Sequence, residues 1–362
     1  MALTSSRTVA ARRSVDLRSL PRHRVRLFVL ATAVAGIAAL AIAMWLGGNL
    51  TQSTINGLVI GGTGDLTAWG LSVSKMVMDM SSVGVIGLLL TCLLLPEPDG
   101  EPSATARRCR RTASQLAVVW AVSTAALLVF TWSDVVDQQV TKLPFGKLFT
   151  ATGSVFPDVA DYISVTAVAV VIAAGIAVTD RWPGALVLLL LAGYNLVPMA
   201  LQGHASHGTV LKYSLVVHVI AVSLWVGGLG ALLLHVRGEP ALLAVAVPRF
   251  SGVALGCYVA VAASGIVAVW VLLGSVPAVW GSRYGVLVML KAGALIALGV
   301  LGWWHRRHTV SRIRASQDDA RARRAFVQLA AAEIVIMVVA VALAVALSRT
   351  ASPDTIILHG NQ

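Results

Sequence analysis

Residues 211–235 read LKYSLVVHVIAVSLWVGGLGALLLH, an apolar run long enough to cross a bilayer as a helix. Inside it stand His218, Trp225 and the pair Gly227-Gly228. An imidazole, an indole N–H and bare glycines are poor choices for a surface that meets lipid. This helix is therefore expected to face protein or a water-filled cavity, and to carry the chemistry of the chain.

The remainder of the chain is of the same character. Among its 362 residues, 57% are hydrophobic and 12% charged, and the mean hydropathy is +0.82, which excludes a water-soluble domain. The ten Trp and 32 Gly suit a polytopic membrane protein, with Trp at the interfaces and Gly where helices approach closely. A formal charge of +12 would suit a nucleic-acid binder, but the basic residues lie in the gaps between apolar runs, where topology and anionic lipid account for them. No nucleic-acid partner is expected. Cys92, Cys109 and Cys257 form no CxxC and no disulfide framework. Residues 1–26 are Arg- and Ser-rich and precede a full-length apolar run, which reads as a disordered basic tail before an uncleaved first span.

Nine spans are expected, at 27–47, 70–95, 114–133, 158–179, 184–201, 211–235, 250–273, 285–304 and 326–348, giving an all-α bundle. With the N-terminus inside, 21 of the 28 Lys and Arg fall on the cytoplasmic side and five outside, while Lys75 and Lys291 lie within spans. That asymmetry places the N-terminus in the cytoplasm and the C-terminus outside. The chain divides into the tail 1–26, a five-span region 27–201, a four-span region 202–348 and an external tail 349–362. The outer segments 48–69 and 134–157 are expected as loops with short interfacial helices. Gly36, Gly175, Gly193, Gly256 and Gly265 are expected at close helix contacts.

Soft and borderline metal ligands gather toward the outer face. His204 and His207 are three residues apart, on one side of a helical turn if helical, and His218 lies about 10 Å below them. Met76 and Met80 share a face of the second span, and Met199 ends the fifth. Imidazole with thioether suits copper better than Mg²⁺ or Ca²⁺. Each residue also has a plainer reading: His218 as a hydrogen-bonded packing residue, His204 and His207 as polar loop residues, the methionines as fillers of irregular gaps. Four ionisable residues sit inside spans and mark a polar pathway by default. Lys75 and Asp79, four apart, either neutralise each other or serve that path. Lys291 in the outer half of the eighth span and Glu333 in the inner half of the ninth read as separate steps.

Taken together, HVIAVSLWVGG at 218–228, PRFSGVAL at 248–255, SRYGVLVMLKAGALIALG at 282–299 and the Glu333 span resemble the CopD copper-resistance family of inner-membrane proteins, to which PcoD and YcnJ belong. The resemblance covers 211–348. The first five spans are similar to the extra N-terminal helices of longer members in a general way. It implies copper movement across the cytoplasmic membrane, usually as import, for resistance or for supply to cuproenzymes. It also implies a copper chaperone or an oxidase-assembly partner at the outer face. Some relatives continue into a CtaG-type oxidase-assembly domain; this sequence ends at SRTASPDTIILHGNQ without one.

The expected function is thus copper transport. His204 and His207 receive the ion and His218 passes it on, with Met76, Met80 and Met199 as soft relays. Lys75, Asp79, Lys291 and Glu333 form the polar pathway, and Trp225, Gly227 and Gly228 shape it. No ATP-binding loop, DKTG or CPC motif is present, so P-type pumping is excluded, transport is passive or ion-coupled, and no enzymatic activity is expected. Two other classes compete: an assembly scaffold that moves no ion, and a b-type haem protein. The latter needs paired intramembrane histidines. Only His218 is clearly inside an expected span, since His305 and His308 read as the start of an inner loop, so no haem is expected.

Overall fold

A computed structural model describes residues 22–47, 53–55, 58–60, 64–96, 101–144, 146, 158–179, 181–202, 208–273, 280–310, 320–348 and 350. Among them are nine helical segments long and apolar enough to cross a membrane. The helices are α1 (Arg22–Gly47), α2 (Gly64–Leu94), α3 (Ala104–Val135), α4 (Val159–Val178), α5 (Trp182–Tyr194), α6 (Val197–Leu201), α7 (Thr209–Ala231), α8 (Pro240–Leu273), α9 (Arg283–His305) and α10 (Ala320–Leu347). π-helical turns extend α7 through Leu232–Val236 and α9 through Arg306–Val310. α5 and α6 together make one span. All-α is therefore the architecture, with one exception. Strands Ser53–Ile55 and Leu58–Ile60 pair antiparallel, with Ile55 opposite Leu58, where loops and interfacial helices were expected. The β-branched residues on each side and the intervening Asn56-Gly57 favour a tight hairpin.

Several helices run further than hydropathy alone predicts. α3 begins at Ala104, ahead of the expected 114, because Ser103 caps it by accepting the Ala106 N–H at 3.1 Å. The basic residues Arg107, Arg108, Arg110 and Arg111 thus stand on helix, not loop. Arg110 is buried and donates to the Thr179 carbonyl at 2.8 Å, tying α3 to the end of α4. α8 likewise starts at Pro240 and continues through Pro248. The fifth expected span is broken instead. Pro198 has no N–H to give the carbonyl of Tyr194, and α5 ends at Tyr194.

α2 is the central helix, packed on α3, α5, α7, α8 and α10, while α1 lies chiefly against α10. The closest approach is between α2 and α7. A side chain on Gly87 would sit inside the Gly227 peptide, and one on Gly227 would meet the Val83 carbonyl oxygen. Beside them Phe250 of α8 packs on Gly228. Gly36 packs against Val338 and Met76, and Gly175 against Leu188, as expected of interface glycines. Gly193, Gly256 and Gly265 do not: open space lies where their side chains would be.

The outer surface fits lipid. Val122, Ile266, Val300 and Leu190 are exposed in mid-helix. Exposed Trp45, Trp69, Trp270 and Trp280 lie near helix ends on one face, and Trp182, Trp303 and Trp304 near ends on the other. Two aromatic belts are what a bilayer selects. All three cysteines are buried thiols.

Gly227→Leu is expected to wedge α2 from α7 and destabilise the bundle by about 1–3 kcal/mol or more. Gly256→Ala, into open space, should stay within about 0.5 kcal/mol of the parent. Thermal unfolding of both variants in one detergent checks the contrast.

Candidate functional site

On the α9 N-terminal side of the Gly87–Gly227 contact the helices part around a cavity of about 570 Å³. It runs from Tyr284 and Ser348, at the ends of α9 and α10 on one face, to Trp225, Leu298 and Met337. Along α9 that is about 20 Å at 1.5 Å per residue, or roughly half the bilayer. Its wall is mainly aliphatic. The polar side chains in that wall are few and come from separate helices.

α2 contributes Lys75 and Asp79, whose Nζ and Oδ1 lie 2.6 Å apart. Their four-residue spacing puts them on one helix face, so they neutralise each other while both line the cavity. Met78 of the same helix also lines it. Met76 and Met80 do not: they pack into the apolar contacts of α2, Met76 against Gly36. Three methionines at alternate positions cannot share one face of a helix, and the one turned inward is Met78.

α6 brings Met199, and the break before it brings Asn195, which is buried and donates to the Val165 carbonyl at 3.1 Å. α9 brings Lys291. α7 brings His218 and Trp225, the latter edge-on to Tyr258 with ring centroids 5.6 Å apart.

His218 is the histidine among the cavity's lining residues, and its hydrogen bonding is informative. Nδ1 lies 2.8 Å from the Ser264 Oγ of α8. That hydroxyl has one proton, and the carbonyls of Ala260 and Val261 stand 2.7 and 3.0 Å from it to receive it. With the proton given to one of those carbonyls, Ser264 accepts from His218, Nδ1 carries the ring proton and Nε2 keeps its lone pair. Behind metal-binding imidazoles this place is usually taken by a carboxylate, a backbone carbonyl or water; here a hydroxyl takes it.

His204 and His207 lie outside the described residues. Glu333 is not in the cavity wall. It meets His305, Nδ1 to Oε1 at 3.1 Å, with both side chains buried. His305 was expected to open an inner loop. It is instead the last residue of α9, held inside the bundle by Glu333 and against the Phe326 ring, because the helix continues past the apolar run. Among the described residues no three His, Cys, Asp or Glu converge as a closed metal site.

Fold and site thus define a multi-pass helical membrane protein with a largely apolar cavity that carries an oriented imidazole. The profile described as Copper resistance protein D matches residues 244–347, and that described as Copper resistance protein D-like, N-terminal domain, matches residues 65–213. The chain belongs to the CopD family and is a copper-resistance membrane protein. No curated protein and no solved structure matches it. The N-terminal match begins after α1 and ends just inside α7, so both halves of the family pattern meet at the cavity.

Replacing Asp79 by Ala would leave the Lys75 ammonium unbalanced beside an apolar wall. A loss of about 2 kcal/mol is expected, between the surface and buried limits for ion pairs. The double change Lys75→Met with Asp79→Leu should cost less than Asp79→Ala alone. A double-mutant cycle on unfolding midpoints in detergent measures both.

Proposed function

We propose that this protein moves copper ions across the cytoplasmic membrane, inward from the outer face, for copper resistance or homeostasis. The observation that carries the reading is His218. Its Nδ1 is tied to Ser264, so its free Nε2 is available to a borderline or soft cation inside a vestibule. Met199 and Met78, in the same wall, supply thioether sulfur without charge, which suits Cu(I) and gives hard cations little. The Lys75–Asp79 pair adds no net charge, and Lys291 stands in the same wall.

Sidedness follows from the basic residues. With 21 Lys and Arg on the N-terminal side and five on the other, the vestibule is assigned to the non-cytoplasmic side, to which the charge pattern of the sequence also assigns the segment with His204 and His207. In this reading those two histidines collect the ion, His218 receives it, and Trp225 and the Gly227-Gly228 pair close the inner end. The natural donor is a copper-carrying protein outside the membrane, or an oxidase-assembly partner that shares the same pool. No hydrolysis of a nucleotide drives the movement; the gradient of the ion, or of a coupled ion, does.

Purified protein in proteoliposomes should take up copper under reducing conditions. His218→Ala should lower the initial rate by tenfold or more, and Ser264→Ala, which frees the tautomer, by about tenfold. Absence of protein-dependent flux would favour a scaffold that holds copper without moving it. Cysteines placed in the 1–21 and 351–362 segments test sidedness: an impermeant thiol reagent applied to intact cells should label the second and spare the first.

A further inference from the structure

The His305–Glu333 pair has a property that copper entry at His218 does not use. Both side chains are almost fully enclosed, 8% and 5% exposed. Nδ1 of His305 faces the Glu333 carboxylate, and Nε2 is buried with no hydrogen-bond partner among the described residues. Of the basic side chains that follow in the sequence, Arg306 donates to the Ser251 carbonyl at 3.2 Å, and Arg307 lies over Trp303.

Neither protonation state of this pair is comfortable in a low-dielectric setting. With neutral imidazole, Nδ1–H donates to the carboxylate, Nε2 is an unmet acceptor, and the buried pair carries a net negative charge. With imidazolium the charge cancels, but Nε2–H becomes an unmet donor. A metal cation on Nε2 removes both defects at once, since it takes the lone pair and balances the carboxylate. Carboxylate, imidazole and metal in that order is a familiar way of orienting a ligating histidine.

We infer that His305, oriented by Glu333, is a second coordinating station for a soft monovalent cation on the inner side of the glycine contact. Access comes along α10, where Met337 stands one helical turn from Glu333 and lines the inner end of the vestibule. Copper as the natural occupant rests on the transport reading above; coordination at His305 does not.

The test uses the full-length chain, labelled with ¹⁵N-histidine, in lipid nanodiscs, with Ag(I) as a redox-inert soft probe. The His305 Nε2 resonance, identified by its loss in His305→Gln, is expected to shift as silver is added. Glu333→Gln keeps an acceptor for the Nδ1–H but removes the charge. It should weaken the His305 titration by about 10–100-fold and leave that of His218 unchanged. A His305 signal that stays still while His218 responds overturns the inner station and leaves the vestibule reading standing. A His305 response without one at His218 supports the station and removes His218 from the path. An affinity unchanged in Glu333→Gln overturns the orienting role of the carboxylate.

Discussion

The contact of Gly87 with Gly227 is the constraint from which the rest of the bundle follows. Two helix backbones in contact exclude side chains there, so α2 and α7 must diverge on either side of the crossing. On one side that divergence is filled by Leu90, Phe250 and the apolar contacts around Phe326. On the other it is left open, and α2 and α7 face each other across the cavity through Met78, Asp79 and His218. Position and chemistry of the vestibule are thus consequences of where two glycines lie.

The charged and amide side chains named above follow a common rule. Hydrocarbon offers no hydrogen bonds, so each must find a partner within the protein or line a cavity. Lys75 finds Asp79, His218 finds Ser264, Asn195 finds the Val165 carbonyl of α4, and His305 finds Glu333. Lys291 takes the second course and lines the cavity. None of these groups needs the lipid face, which is left to aliphatic side chains and to the two belts of tryptophan.

Most of the architecture was legible in the sequence because span length and hydropathy are set by bilayer thickness, a property of single segments. Nine spans and a helical bundle follow from it directly. Element ends were less legible. The charged start of α3 is helix because Ser103 caps it and Arg110 finds Thr179, neither of which hydropathy registers. Two signals could have been used: Pro198 four residues after Tyr194, and Asn56-Gly57 between β-branched runs. The site was legible by residue type more than by position. Helices that are apolar all round give no face to choose, so nothing in the sequence selects Met78 over Met76 and Met80 for the cavity. His305 was assigned to a loop because the apolar run stops before it. The residue that holds it inside, Glu333, is 28 positions away.

A vestibule that ends within the bundle serves transport only if its inner end connects onward. The α2–α7 crossing cannot provide that connection, since the two backbones leave no space between them. α10 can. Met337 belongs to the vestibule wall, Glu333 is one turn further along the same helix, and His305 is bonded to it at the end of α9. In the proposed transport a cation would therefore leave His218 for thioether sulfur and then for an imidazole backed by carboxylate, passing beside the glycine contact and not through it. Neutral sulfur between two nitrogen stations binds a soft ion weakly enough to release it, and offers a hard ion too little to replace its hydration. Selectivity and passage would then rest on the same few side chains, and the glycine contact would serve to keep water and other ions from following.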